Sequence, residues 1–167
     1  ATATSASQIR RFRAPRAYWR HLERFDGLPE GVVVLGDAYC HFNPLFAQGM
    51  STSLLCAVEL AQALSSQDPR RAQAAYYARA ARVVRHPWEI STTMDLAFPT
   101  TTSHRPAGLG LIQRYLEAVF RGLRTDPGAY ANFMRVLHLL EPPSTLLRPR
   151  QMVAAARGAL AAESVGA

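Results

Sequence analysis

The chain has 167 residues, of which 49% are hydrophobic, so it is long enough and apolar enough to bury a core. It contains no run of about 18 apolar residues, so no membrane-spanning segment is predicted, and its first residues lack the apolar stretch of a secretory signal. The net charge of +7 would favour nucleic acid or an acidic membrane as partner, but every basic residue is an arginine, which indicates a compositional bias and predicts no nucleic-acid surface.

Cys40 and Cys56 are the two cysteines, too few for a disulfide framework in a chain of this length. We therefore predict a reducing, cytoplasmic location. Cys40 and His41 are adjacent, but no second Cys/His pair follows at the spacing of a zinc site, so no metal site is predicted. The chain also lacks an initiator methionine, which suggests a piece of a longer protein.

In chain order, residues 9–12 are compatible with a short edge strand. Residues 28–31, Leu-Pro-Glu-Gly, favour a turn, and the apolar residues 32–35 that follow predict a buried strand. The loop of residues 36–48 leads to a segment in which apolar residues recur at helical spacing. A helix is therefore predicted to begin at Gly49 and to be buried on most sides.

Two Asp-Pro pairs, at residues 68–69 and 126–127, combine an N-cap with a proline in the first turn and predict two helix starts. The first of these helices is predicted to end near residue 85, because a His-Pro pair at 86–87 disfavours its continuation. Residues 87–108 contain three prolines and a Thr-Ser run, which predicts a long irregular connection that covers a site. Further helices are predicted over residues 112–123, 127–141 and 150–160.

The chain is thus predicted to be mostly helical, with about one to three strands. A single buried strand cannot satisfy its own backbone N–H and C=O groups. We therefore expect the partner strands of residues 32–35 to come from sequence outside this chain.

The loop between the predicted strand and helix has the sequence GDAYCHFNPLFAQGM over residues 36–50. It resembles the second FAD motif of the flavin-dependent aromatic hydroxylases and epoxidases, roughly GDAAHxxxPxxGQGxN, which follows a strand and opens a long helix. Cys40, Phe42, Asn43 and Met50 also fit a CxFNPxxxQGM variant of that motif. The positions that match the general motif are Gly36, Asp37, Ala38, Pro44, Gln48 and Gly49.

This resemblance, densest over residues 16–64, implies an α/β parent with a Rossmann-like FAD-binding domain, of which the chain is a C-terminal portion. Residues 1–31 would end the substrate domain or a linker, residues 32–65 would form the second half of the FAD domain, and residues 66–167 would form a helical region. The GxGxxG segment that binds the pyrophosphate is absent from this sequence. The isolated chain is therefore expected to be inactive and to need the missing N-terminal half of the FAD domain.

By resemblance, Asp37 accepts hydrogen bonds from the ribityl hydroxyls of FAD, Gly36 lets the backbone approach the cofactor, and Pro44 lies beside the isoalloxazine. Residues 48–50 present backbone N–H groups to the pyrimidine edge of the flavin. The partial positive charge of a helix N-terminus suits the negative charge of reduced flavin there. The predicted cofactor-binding set is Gly36, Asp37, Ala38, Pro44, Gln48, Gly49, Met50 and Ser51.

Three positions depart from the motif. Ala47 replaces the first glycine of GQG, Ser51 replaces a frequent asparagine, and Cys56 replaces a frequent aspartate on the helix. The alanine matters only where its position requires a positive φ, since glycine alone adopts that conformation without a steric cost.

The resemblance implies an FAD-dependent monooxygenase. The parent would reduce FAD with NAD(P)H and transfer one oxygen atom from O₂ to a small apolar or aromatic substrate, by hydroxylation or epoxidation. No residue of this chain is predicted as an acid–base catalyst, because the cofactor carries the oxygen chemistry. The alternatives are another flavoprotein, such as a halogenase or a prenyl-lipid reductase, and a non-catalytic helical module in which Arg79, Arg82 and Arg85 contact acidic partners.

Other candidate residues favour structural roles. His41 has no evident carboxylate partner, and its combination with the hydroxyls of residues 51–53 lacks the GxSxG elbow of an acyl-transfer enzyme. Trp88, Asp95 and Pro99 fall in the predicted irregular connection, where packing and turn formation are favoured over ligand contact.

Overall fold

The computed structural model describes residues 6–8, 10–11, 16–66 and 68–163 of the chain. Within this part the protein is mostly helical, as predicted, with a two-stranded antiparallel sheet in which Tyr18 lies opposite His41. Ile9 and Phe12, which would end the predicted edge strand, lie outside the described residues. The elements are β1 (Tyr18–Trp19), β2 (Cys40–His41), α1 (Gly49–Ser66), α2 (Pro69–Asp95), α3 (Leu109–Gly122), α4 (Pro127–Leu137) and α5 (Pro149–Glu163).

Residues 32–35 are not a buried strand, so that prediction is wrong. They are outside any ladder, and Val32 is 50% exposed. Two side chains of α2 bind the backbone in place of a neighbouring strand: the Tyr77 hydroxyl accepts from the Val34 N–H at 2.8 Å, and the Tyr76 hydroxyl donates to the Val34 carbonyl at 3.2 Å. Tyrosine is long enough to reach across from a helix, so this segment satisfies part of its backbone without a sheet.

Helix α1 begins at Gly49, as predicted, but it is not buried on most sides. It packs against α2 and buries Thr52, Cys56 and Ala63. Its main contacts are with α2 and with the turn at residues 36–38, and its opposite face is apolar and open. The exposed apolar side chains of α1 are Met50, Leu54, Leu55, Val58 and Leu64.

Helix α2 continues to Asp95, so the prediction that it stops before Pro87 is wrong. A proline inside a helix removes one N–H donor. Pro87 is buried, however, as are Val84 and Ser91 at helical spacing on the same face. Continuing the helix keeps this face in the core, which offsets the lost hydrogen bond. The irregular connection before α3 is therefore shorter than predicted.

Helix α4 begins as its Asp-Pro pair predicts. One carboxylate oxygen of Asp126 accepts hydrogen bonds from the N–H groups of Gly128 and Ala129, at 2.8 and 2.9 Å. The same oxygen lies 3.1 Å from a guanidinium nitrogen of Arg150 in α5. This cap therefore also joins α4 to α5.

The core nearest the predicted site is made of side chains from residues 39–42, α1 and α2. Tyr39, Phe42, Cys56, Tyr76 and Tyr77 are all buried there. Among the residues that the structure describes, no helix is both long and apolar enough to cross a membrane.

Candidate functional site

The loop between residues 36 and 48 contains two short 3₁₀ turns, Gly36–Ala38 and Pro44–Phe46. Gly36 has a φ of +61°, and a Cβ atom at this position would lie 3.2 Å from the Ser53 hydroxyl of α1. Glycine therefore serves both needs here: it adopts the left-handed backbone and lets the loop lie against the helix.

Ala47, which stands where the flavin motif has a glycine, has a positive φ. Its φ of 52° and ψ of 23° are left-handed, and its N–H donates to the Pro44 carbonyl. For an alanine this conformation costs roughly 1–2 kcal/mol. In this chain the position that carries glycine in the flavin motif therefore has a conformation that glycine adopts without a steric cost.

Four of the eight predicted cofactor-binding residues, Asp37, Pro44, Gly49 and Met50, line one cavity of about 750 Å³. We call it the loop cavity. The Asp37 carboxylate is close to the start of α1, 3.8 Å from where a Cβ at Gly49 would be. The other residues that line the loop cavity are His41, Phe42, Asn43, Ala47, Ser53 and Leu54.

The remaining predicted residues, Gly36, Ala38, Gln48 and Ser51, lie outside this lining. The Gln48 side chain is buried and turned the other way, with its Nε2 donating to the Leu137 carbonyl of α4 at 2.9 Å. Its Oε1 is buried without a partner among the described residues. The contact predicted for Gln48 uses its backbone N–H and stays a prediction.

His41 does have a carboxylate partner, so the interpretation that it lacks one is wrong. Its Nδ1 lies 3.2 Å from the Asp37 carboxylate, because the 3₁₀ turn brings the two residues together. The imidazole also stacks on Tyr18, with ring centroids 5.6 Å apart. His41 is thus held at the wall of the loop cavity by the strand pair and by Asp37.

A second cavity of about 700 Å³, here called the α2 cavity, adjoins the loop cavity. The two share His41, Phe42, Asn43 and Pro44 as a common wall. The other residues that line the α2 cavity are Arg16, Ala17, Trp88, Thr92, Asp95, Leu96, Thr100, Thr101, Thr102 and Ser103.

The side-chain amide of Asn43 donates to the Asp95 carboxylate at 2.6 Å, which joins the loop to α2. Asp95 and Trp88 belong to α2 and line the α2 cavity, whereas Pro99 is exposed outside it. The sequence analysis missed this link because it ended α2 before Pro87. A continuous helix would have placed Asp95 one turn beyond Ser91 on the same face.

A third cavity, of about 610 Å³, lies among α2, α3 and α4 and is lined almost entirely by apolar side chains. We call it the apolar cavity. It shares no lining residue with the loop cavity. Members of its lining include Phe46, Ile90, Met94, Leu116, Phe120 and Phe133.

The other chemically active groups of the loop are engaged in the fold. Cys40 and Cys56 are free, buried thiols, and burial raises the pKa of Cys40 to about 12 and that of Cys56 to about 11. The Thr52 and Ser53 hydroxyls donate to the carbonyls four residues earlier, those of Gln48 and Gly49. Among the described residues no cluster of three His, Cys, Asp or Glu side chains has the arrangement of a metal site.

Comparison with known proteins gives one informative similarity. No known family model matches the chain. The chain is 32% identical over 136 residues to Protein Rv3254 of Mycobacterium tuberculosis (strain ATCC 25618 / H37Rv). The match covers 76% of this chain and 28% of that protein, so the chain spans little more than a quarter of the relative's length.

Proposed function

We propose that the chain is the flavin-ring-binding part of an FAD-dependent monooxygenase, within a polypeptide longer than this chain. That longer polypeptide is called the full-length protein below. One observation carries the proposal: Asp37, Pro44, Gly49 and Met50, which the flavin motif assigns to FAD, line a single cavity at the start of α1. The match covers 28% of the similar protein, so a polypeptide of that length could also contain the pyrophosphate-binding half that this chain lacks.

The chemistry of the loop cavity fits FAD. The first N–H groups of a helix have no acceptor within it and carry a partial positive charge, so the N-terminus of α1 suits an electron-rich heterocycle. Asp37 provides an acceptor for sugar-like hydroxyls beside it. Phe42 and Leu54 add apolar surface for an aromatic ring, and the left-handed Ala47 ends the 3₁₀ turn that precedes α1.

FAD, when bound, would accept electrons from NAD(P)H, and the reduced cofactor would provide the chemistry of the reaction with O₂. The residues of this chain would bind and orient it. Asp37 would hold the ribityl hydroxyls, the start of α1 would face the pyrimidine edge, and Pro44 with the buried Phe42 would exclude water from the reacting side.

The α2 cavity is our candidate for the substrate, and its lining of aromatic, hydroxyl and charged side chains suits a small aromatic molecule that also carries polar groups. It shares a wall of four residues with the loop cavity, and Trp88 and Phe42 give it aromatic surface. The apolar cavity is a weaker candidate, because no residue that lines it also lines the loop cavity.

The helical interaction module is less well supported. Arg79 is only partly exposed and lies 3.7 Å from the Glu59 carboxylate of α1, so it joins two helices of the fold. Only Arg82 and Arg85 of the proposed basic face are exposed. A halogenase or a prenyl-lipid reductase would use the same loop and is distinguished by the product formed.

FAD binding by the full-length protein tests the proposal. The purified protein should be yellow or should be stabilised thermally by added FAD. Asp37→Ala should weaken FAD binding by about 10- to 100-fold, the effect of losing a hydrogen bond to a charged acceptor. Asp26→Ala, which removes an exposed carboxylate from a turn outside the loop cavity, should leave FAD binding unchanged.

A colourless full-length protein with no FAD-dependent thermal shift would contradict the proposal. Oxygen uptake that depends on NAD(P)H, with one oxygen atom found in the product, would distinguish a monooxygenase from the other two flavoproteins.

A further inference from the structure

The loop of residues 43–48 is attached to α2 at its first residue. The side-chain amide nitrogen of Asn43 donates to Asp95 at 2.6 Å, and the Asn43 backbone N–H donates to the Ser91 hydroxyl at 3.3 Å. The amide oxygen of Asn43 accepts from the Leu45 N–H at 3.0 Å, which starts the second 3₁₀ turn. Asp95 thus fixes the orientation of the side chain that shapes the loop.

The last residue of the same loop is attached to α4. Gln48 is 3% exposed, and its Nε2 donates to the carbonyl of Leu137, the last residue of that helix. Carbonyl groups in the last turn of a helix have no acceptor role within it. The contact therefore gives Leu137 a donor and fixes the direction in which the loop enters α1.

Of the residues between these two attachments, only Phe46 is partly buried, at the apolar cavity. Pro44, Leu45 and Ala47 are exposed, with 77% of Leu45 accessible. Ala47 also holds a left-handed conformation, which persists only when the surroundings determine it. Since Pro44 and Ala47 line the loop cavity but are themselves exposed, the two attachments contribute to the shape of that cavity together with Phe46.

We propose that Asp95 and Gln48 are positioning residues, which form a two-point clamp through which α2 and α4 hold the loop 43–48 in the shape that binds FAD. This inference rests on the proposed function. Neither residue needs to touch the reacting atoms: Asp95 acts through Asn43, and Gln48 acts through the path of the backbone.

The experiment measures FAD affinity and the visible circular dichroism of the bound flavin in the full-length protein. Asp95→Ala should weaken FAD binding about tenfold and change the dichroism, because the ring then sits in a looser loop. Asp95→Asn keeps an oxygen that accepts from Asn43, so it should restore affinity to within about threefold. Glu89→Ala, on the same helix but at the apolar cavity, is the matched control and should change neither quantity.

The other attachment has its own pair of variants. Gln48→Met removes the donor to Leu137 at similar volume and should also weaken FAD binding about tenfold. Gln113→Met is its control, because Gln113 makes the same kind of bond, from Nε2 to the Thr93 carbonyl at 3.2 Å, outside the loop.

A double-mutant cycle separates positioning from general stability. If Asp95 acts through Asn43, then Asp95→Ala should not weaken FAD binding further in an Asn43→Ala background. Hydrogen exchange of the peptide that covers residues 43–48 should be faster in Asp95→Ala even without flavin. Asp95→Ser provides a milder substitution for all these measurements should the alanine variant fail to fold.

The possible failures are distinguishable. Wild-type protein that binds no FAD overturns the proposed function and this inference with it. Wild-type protein that binds FAD, together with an Asp95→Ala variant that melts at a lower temperature but keeps its FAD affinity and dichroism, overturns the clamp alone. Additive losses in the double-mutant cycle would also overturn it, because Asp95 would then act independently of Asn43.

Discussion

At the scale of single residues, the left-handed conformation of Ala47 lowers the stability of the protein, and a glycine at this position would avoid that loss. Ala47→Gly should stabilise the protein by about 0.5–1 kcal/mol, because the left-handed penalty of alanine exceeds the extra unfolded-state entropy of glycine. Urea unfolding of the full-length protein measures this as a higher midpoint at an unchanged slope.

The same substitution in an ordinary helical position is the control for Ala47. Ala61 is exposed within α1, so Ala61→Gly should destabilise the protein by about 1 kcal/mol. Two Ala→Gly changes of the same sign would contradict the left-handed assignment of Ala47.

How much of the site the sequence predicts depends on the range of each contact. Asp37 and Gly49 are identified by spacing along the chain, and the structure brings them to one cavity. The bond between Asn43 and Asp95 joins residues 52 positions apart. No local sequence pattern indicates a contact between residues so far apart in the chain. The positive φ of Ala47 is likewise visible only in the structure.

At the scale of the elements, α3 and α5 cross at two glycines. A Cβ on Gly122 would lie 2.4 Å from the Ala154 carbonyl oxygen, and one on Gly158 would lie 2.5 Å from the Gly122 nitrogen. These contacts are with backbone atoms, which cannot turn aside as a flexible side chain does. Gly122→Ala should therefore separate the two helices and destabilise the protein by more than about 2 kcal/mol, measured by urea unfolding.

Gly110 is the matched control for this crossing. It lies in the same helix, α3, and a Cβ there would meet open space. Gly110→Ala should be neutral or stabilising, by up to about 1 kcal/mol, because alanine is the better helix former. A Gly122→Ala variant as stable as Gly110→Ala would show that the two helices do not cross closely.

Among the elements, local signals predicted the helix starts and long-range packing decided the rest. The Asp126 cap acts within three residues and was predicted correctly. Pro87 was expected to end α2, but burial of one continuous face carries the helix past it. The extended segment 32–35 binds the side chains of Tyr76 and Tyr77, more than forty residues away, which no strand pattern indicates.

At the scale of the whole molecule, α1 exposes an apolar face to solvent in this chain. Leu64 is 57% exposed in this chain and lines none of the three cavities described above. We expect residues outside the chain to cover this face in the full-length protein. Leu64→Glu should then destabilise the full-length protein by more than about 2 kcal/mol, whereas substitution at an exposed position changes stability by about 0.5 kcal/mol or less.

Leu160→Glu is the control for this prediction, because Leu160 lies on α5 and is similarly exposed, at 66%. Thermal unfolding of both variants in the full-length protein measures the difference. Equal, small changes would show that the α1 face remains in solvent.

The hydroxyls of Tyr76 and Tyr77 have a consequence for self-association. They occupy the edge of residues 32–35 that carries both backbone groups of Val34, and Gln73 donates to the Val32 carbonyl on that edge at 2.6 Å. Because successive residues of an extended chain direct their backbone groups to opposite edges, only the Val33 edge is left for pairing. A fibril needs every segment to pair on both edges, so we expect this apolar segment to accept at most one added strand while α2 keeps these bonds.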